Sequence, residues 1–397
     1  MKRFALAFFL TITGLFGGST TAQGEAGSTS LIGTNRLSAG KFYTCERTVA
    51  GAVRCWGHNM NGQLGNVSRI DWPVAKRVGG AANGIAKVSA GGGHTCALTV
   101  AGGLKCWGQN DNGEVGDGTH ISRTMPVDVT SLTSGVATVS VGYQHTCAIV
   151  TGGGLKCWGG NGAGQLGDGT LVDSPVPVSV THLNNVVNSV SSGGRQTCAL
   201  TAGGAVMCWG GNISGSLGDG TFITRSTPLT VTGLTSNVIS LAGDDNFFCV
   251  IITAAGVKCW GANGFGQLGD GSTTARNIPV NVVGLGTGVA SLAADGAHTC
   301  AVMVSGGLKC WGRNFFGGLG NGGTSDSHTP VDVSGMTTGT LAVALGFEHT
   351  CAIQAPDTVK CWGDNQFGQL GDGTFVERDT PVNVINEKLA NLPLVVH

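Results

Sequence analysis

Charge is scarce in this chain: only 11% of its residues are Asp, Glu, Lys or Arg. Surface helices and coiled coils are built from those residues, so neither is the main architecture. Proline is scarcer still, with 10 residues against 70 glycines, and the glycines follow no three-residue period, which excludes a collagen-like fibre. Neither sign of charge predominates, since 22 Lys and Arg face 23 Asp and Glu for a formal charge of −1. Without a basic field to attract phosphate, neither nucleic acid nor a membrane is an expected partner. Apolar residues still make up 41% of the chain, which excludes disorder. What remains is an all-β chain full of tight turns.

Catalytic signatures are also missing. There is no Gly-x-Ser-x-Gly elbow, no phosphate loop ending in Lys-Ser or Lys-Thr, no His-Glu-x-x-His, and no pair of carboxylates in a shared context. The expectation is a non-enzyme without a cofactor.

The one long apolar run is at the start. Lys2 and Arg3 precede Phe4 to Phe16, and Thr20 and Ala22 occupy the −3 and −1 places of a cleavage site. Residues 1–22 therefore read as a secretory signal, whose apolar run Phe4 to Phe16 is too short for a membrane span of about 20 apolar residues. Removing them leaves 20 cations against 23 acids, a mature charge of −3. The expected location is extracellular or periplasmic.

The cysteines, by contrast, are abundant and ordered. One series runs Cys45, Cys96, Cys147, Cys198, Cys249, Cys300 and Cys351; the other runs Cys55, Cys106, Cys157, Cys208, Cys259, Cys310 and Cys361. Both step by 51 residues, which means seven copies of one unit. Residues 23–33 are then a short lead-in, and 34–397 a single repeat domain. The first unit looks irregular, because Pro73 lies 18 residues beyond Cys55 where Pro126 lies 20 beyond Cys106. That reads as a compensated length change.

Within a unit, Val136 to Val141, Cys147 to Val150, Leu155 to Trp158 and Pro177 to Val180 read as strands between Gly-rich turns. A four-stranded meander cannot cover both its own faces, and seven of them closing radially bury each other as a propeller. A linear solenoid would need distinct caps, and the end units resemble the middle ones. At the tail, Leu392 to Val396 aligns with Leu341 to Leu345, so it either pairs with the first blade or covers an edge.

His145-Thr146-Cys147-Ala148, Cys157-Trp158-Gly159-Gly160-Asn161, Gly164-Gln165-Leu166-Gly167-Asp168-Gly169-Thr170 and Pro177-Val178 together resemble the repeat of the regulator of chromosome condensation family. The likeness covers all seven units. Asn59, Asn110, Asn161, Asn212, Asn263, Asn314 and Asn365 each precede a glycine by three residues. The resemblance implies a seven-bladed β-propeller of the secreted bacterial kind, whose relatives include a propeller inhibitor of β-lactamases and act by binding. The founding member's nucleotide exchange on a small GTPase uses an inserted wedge and a basic tail, and neither is present in this sequence.

Each candidate site has a plain structural reading. The two cysteines of a unit flank a Gly-containing turn on one face of a hairpin, which favours disulfides over metal binding. His94, His145, His298 and His349 recur two residues before a cysteine, but Tyr43, Gln196 and Phe247 replace them elsewhere, so no symmetric metal ring forms. Hydrogen bonding within or between blades is their expected role. Asp117, Asp168, Asp219, Asp270 and Asp372 sit in Gly-Asp-Gly turns as backbone acceptors, without the clustered carboxylates calcium needs.

Variation between copies carries the functional signal. The second loop of each unit is small and uniform. The first loop instead reads Lys41-Phe42, Gly92-Gly93, Tyr143-Gln144, Gly194-Arg195, Asp245-Asn246, Gly296-Ala297 and Phe347-Glu348. The third loop varies from Met60-Asn61 to Phe315-Phe316 and Gln366-Phe367, and beyond it through His120, Arg225, Arg276 and Arg378. Phe265, Phe316 and Phe367 share a register that also suits packing between blades. Since first and third loops of a meander lie on one side, the expected binding residues are Phe42, Tyr143, Gln144, Arg195, Asp245, Asn246, Phe315, Phe316, Phe347 and Glu348. The reading is a secreted, monomeric, non-enzymatic scaffold recognising an unidentified protein. A carbohydrate-binding lectin and nucleotide exchange on a GTPase are the alternatives.

Overall fold

The computed structural model describes residues 36–386 apart from 184, 185 and 255. The expected signal segment, the lead-in 23–33 and the tail copy Leu392–Val396 lie outside the described residues. Among these residues, 28 strands form seven four-stranded antiparallel sheets, each in simple sequence order. The first blade is β1 (Leu37–Ala39), β2 (Tyr43–Arg47), β3 (Val53–Gly57) and β4 (Trp72–Arg77). The next six repeat it, and the first strands of all seven line a central channel. The expected all-β seven-bladed propeller is the observed fold.

The irregularity read at Pro73 does not exist as a length change. Cys55 pairs with Lys76 and Gly57 with Trp72, as Cys106 pairs with Val127 and Gly108 with Arg123, so the outer strands keep the 51-residue frame. Pro73 stands at a different place in its strand, and the counterpart of Pro126 is Ala75. The outer strand of the third blade also starts earlier than expected, spanning Ser174–Ser179.

Every blade is clasped by its own disulfide, from Cys45–Cys55 to Cys351–Cys361, each joining directly paired residues of the second and third strands. All fourteen cysteines are so bonded.

The core lies between blades, where each third strand supplies a fully buried tryptophan. Trp158 Nε1 donates to Glu114 O of the preceding blade at 2.9 Å, and the same bond recurs from Trp56 to Gln369 O and from Trp209 to Gln165 O. The turn that offers this carbonyl must come close. A side chain at Gly116, which has φ of +76°, would place its Cβ 2.5 Å from Trp158 Nε1, so glycine is required there. A buried threonine donates to the same carbonyl, as Thr146 does to Glu114 O at 2.9 Å.

The recurrent asparagine fixes the third loop. Asn110 Nδ2 donates to Thr119 O (3.0 Å) and Ile121 O (3.2 Å), while its Oδ1 accepts from Val115 N at 2.8 Å. The asparagine is buried in all seven blades, so this loop is a fixed platform.

The ring closes through the same contacts. Leu37, Ala39 and Trp56 of the first blade share a core cluster with Ala342, Ala344 and Ile353 of the seventh. Ala75 N donates to Ile385 O at 3.1 Å, and Ala75 and Asn386 form a parallel bridge. The six other blades carry proline at this position, from Pro126 to Pro381, and proline has no N–H to give.

Candidate recognition face

Up-and-down strand order puts all the first and third loops on one side of the disc. Backbone bonds join the first loops of the seventh, first, second, third, fourth and fifth blades into a collar along the channel mouth. Lys41 N donates to Gly91 O (3.1 Å), Gly92 N to Gly142 O (3.1 Å), Tyr143 N to Gly193 O (3.1 Å) and Gly194 N to Asp245 O (3.3 Å), while Phe347 N returns to Lys41 O (3.2 Å). Side chains on this collar are presented from a rigid backbone.

Three of the expected residues converge on a side chain left out of the expected set. The Lys41 ammonium lies 5.3 Å from the Phe42 ring centre, 4.8 Å from that of Tyr143 and 5.1 Å from that of Phe347. Each such contact is worth about 0.5–2 kcal/mol, rising as water is excluded. Phe42 meets Phe347 edge-on at 6.0 Å and Phe367 in a tilted contact at 5.3 Å, and Phe367 lies tilted against His58 at 4.6 Å. The result is one aromatic patch spanning the seventh, first and third blades. Asp245 faces Lys41, but burial outweighs that cation and holds its carboxyl above the usual range. The depression among Lys41, Tyr143, Asp245, Asp295 and Phe347 encloses about 20 Å3, space for about one water. That depression is too small for a small-molecule ligand.

The other expected residues fall in different settings. Arg195 is exposed on the fourth blade, and Gln144 is half-buried on the third. Asn246 is exposed, yet its Oδ1 accepts from Gln196 Nε2 at 3.0 Å, which ties it to the junction between blades. Glu348 is buried and paired with Arg313 at 2.7 Å; burial pushes its carboxyl up to about 7 against the pull of that arginine. It supports the face from beneath. Arg313 also covers the Phe265 ring at 4.8 Å, and exposed Phe315 packs edge-on against Phe316 at 4.8 Å. Of the phenylalanines in the shared register, only Phe367 contacts the next blade's aromatics.

Arg225, Arg276 and Arg378 take a structural role. Each pairs with the aspartate of its own loop, as in Arg276–Asp270 at 2.8 Å. Burial works against ionisation of that aspartate, but hydrogen bonds from Ser272 and Arg276 hold its carboxyl below the usual range.

Sequence reasoning overlooked a second feature. Where the third loop enters the outer strand, Leu171-Val172, Phe222-Ile223 and Phe375-Val376 are all exposed, and Ile70 and Ile121 join them. Their signal was available: apolar pairs directly after Asp-Gly-Thr in a turn that other copies fill with polar residues. Together with exposed Met60, Ile213 and Phe315, they give this side a scattered apolar surface around the aromatic patch.

A family model of the RCC1-like domain matches residues 52–393. The chain is 30% identical over 353 residues to the ultraviolet-B receptor UVR8 of Arabidopsis thaliana, covering 87% of this chain and 80% of that protein. It is 30% identical over 363 residues to the secretion-regulating guanine nucleotide exchange factor of Bos taurus, covering 82% of this chain and 76% of that one. Among solved structures, the crystal structure of Kap60 bound to yeast RCC1 (Prp20) is similar with a TM-score of 0.77 at 20% identity, covering 89% of this chain and 86% of that chain.

Proposed function

Since the chain belongs to the RCC1-like domain family, we propose that it is an exported, non-enzymatic scaffold that binds a partner protein through the collar side of the disc. The observation that carries this reading is the patch of Phe42, Tyr143, Phe347 and Phe367 around Lys41. Aromatic side chains on a rigid support match the anchors of protein interfaces. Seven disulfides fit an oxidising compartment, and the N-terminal run supplies an export signal expected to be cleaved before Gln23. The partner is a folded protein surface, because the patch holds no cavity for a small ligand. The chain itself acts as a monomer.

Nucleotide exchange on a GTPase is the second reading, favoured by the bovine relative's name. It requires a reducing compartment at odds with seven disulfides. Capture of partners from exported proteins of the source by the disulfide-bonded mature protein tests both readings. A partner lost with Tyr143→Ala and Phe347→Ala supports the scaffold; acceleration of guanine-nucleotide release from a small GTPase overturns it.

A further inference from the structure

One register of the first loops alternates from blade to blade. It reads Lys41, Gly92, Tyr143, Gly194, Asp245, Gly296 and Phe347, so the odd-numbered blades carry a large side chain there and the even-numbered ones carry none. The alternation makes room. A Cβ at Gly92 would lie 2.6 Å from Tyr143 Cδ2, so the ring of the third blade lies over the second and reaches toward Lys41 on the first. The four large side chains of this register, Lys41, Tyr143, Asp245 and Phe347, line one depression together with Asp295.

The lining has the chemistry of an ammonium site. Ring faces carry negative potential, and those of Tyr143, Phe347 and Phe42 stand 4.8, 5.1 and 5.3 Å from the cation. Asp245 and Asp295 add carboxylates. The cation now in this place is the chain's own. Lys41 Nζ donates to Tyr143 Oη at 3.4 Å, a long bond, and its stem is flexible. The Lys41 backbone is pinned on both sides, N to Gly91 O and O from Phe347 N, so the side chain alone is able to leave.

We propose that this cluster receives a lysine side chain of the partner, whose ammonium takes the place between Tyr143, Phe347 and the two aspartates as Lys41 swings out into water. The inference rests on the partner-binding reading and gives that partner's anchor a chemistry. Lys41 is then the resident ligand and competes with the incoming one. A tethered competitor acts at an effective concentration on the order of millimolar, so removing it strengthens binding of the amine.

NMR titration of the disulfide-bonded mature protein with Nα-acetyl-lysine methylamide tests this without the partner. The Lys41→Ala protein binds the compound saturably, with the ligand's ε-methylene protons shifted upfield by the rings, and the unaltered protein binds it at least about tenfold more weakly. Three blades carry glycine at this register, so the backbone needs no side chain there, and melting temperature checks folding. Lys41→Gln, which removes the charge and keeps much of the stem, gives a smaller gain. The compound acetylated at Nζ binds neither protein, and adding Tyr143→Ala to Lys41→Ala weakens the amine by about tenfold. Absence of saturable binding to Lys41→Ala, equal binding of the acetylated compound, binding unchanged by Tyr143→Ala, or unaltered protein binding as tightly as Lys41→Ala would overturn the proposal. Each of those results leaves partner capture by the collar standing; that reading falls instead if captured partners survive Tyr143→Ala and Phe347→Ala.

Discussion

His145 Nε2 lies 2.8 Å from Thr197 Oγ1 across the junction of the third and fourth blades, and that threonine hands its own proton to Gln165 O at 2.8 Å. The order of donors fixes the tautomer: the ring proton sits on Nε2, and Nδ1 is buried with no partner. Protonating Nδ1 would create a buried donor without an acceptor. His94, His298 and His349 make the same contact to Thr146, Thr350 and Thr44.

Acid should therefore loosen the ring. Burial lowers His94, His145 and His349 to about 3 and His298 to about 4. The unfolded chain binds these protons near pH 6.5 and the native one does not, so stability is full above about 6.5 and falls as pH drops toward 4. Glu348, raised to about 7, acts in the opposite sense over part of that window, as do Glu46, Glu114 and Asp245, whose carboxyls burial raises, while Asp117, Asp219, Asp270 and Asp372, held below the usual range, act with the four histidines. Melting temperature measured from pH 7.5 to 4.5 should fall, and His145→Gln, imitating Gln196 in the next blade, should flatten the slope. A melting temperature rising through that acid range would contradict it.

The collar patch should dominate binding. Replacing Tyr143, Arg195 or Phe347 by alanine should weaken the partner by about 1–3 kcal/mol each, with Phe347 also costing some stability because it packs on Phe42. Thr201, on the opposite side, is buried and accepts from Ala205 N at 3.1 Å, so it is unsuited as a control. Exposed Val100 on that side serves instead, and Val100→Ser should leave affinity unchanged. Titration calorimetry separates the two faces.

Each disulfide should contribute about 3 kcal/mol in the loop-entropy model, since its ends are 10 residues apart. Non-reducing digestion should yield only links within a blade. Replacing Cys147 and Cys157 together by alanine should lower the denaturant midpoint without abolishing the fold, because the six other clasps remain. A dominant cross-blade link would refute the pairing.

Much of the fold was readable because two cysteines are bonded to each other within each blade and a tryptophan is hydrogen-bonded to the blade before it, which forces identical spacing. Pro73 misled because a proline was used as a ruler, whereas Cys55 facing Lys76 sets the register. Tyr143 and Phe347 were visible as departures from glycine or polar residues. Lys41 was not singled out, since only the closed ring brings residues 41, 143 and 347 together. Glu348 and Asn246 looked available because sequence shows position in a loop and not burial or partners.

Ala75→Pro should weaken the seam. The backbone there accommodates proline in six other blades, so the principal loss is the bond from Ala75 N to Ile385 O, about 1 kcal/mol. Hydrogen exchange at Arg54 and Lys76 should quicken while exchange in the fourth blade stays unchanged. Equal effects in both places would indicate general destabilisation.

The junction between the seventh and first blades is built from the contacts found elsewhere: Trp56 to Gln369 O, and Thr44 to both His349 and Gln369 O. Peptide connectivity is then nearly incidental to how a blade recognises its neighbour. Circularly permuted chains, opened at any other crossing and joined across the old ends by a flexible spacer, should assemble the same disc, because none of the seven borders depends on being covalent.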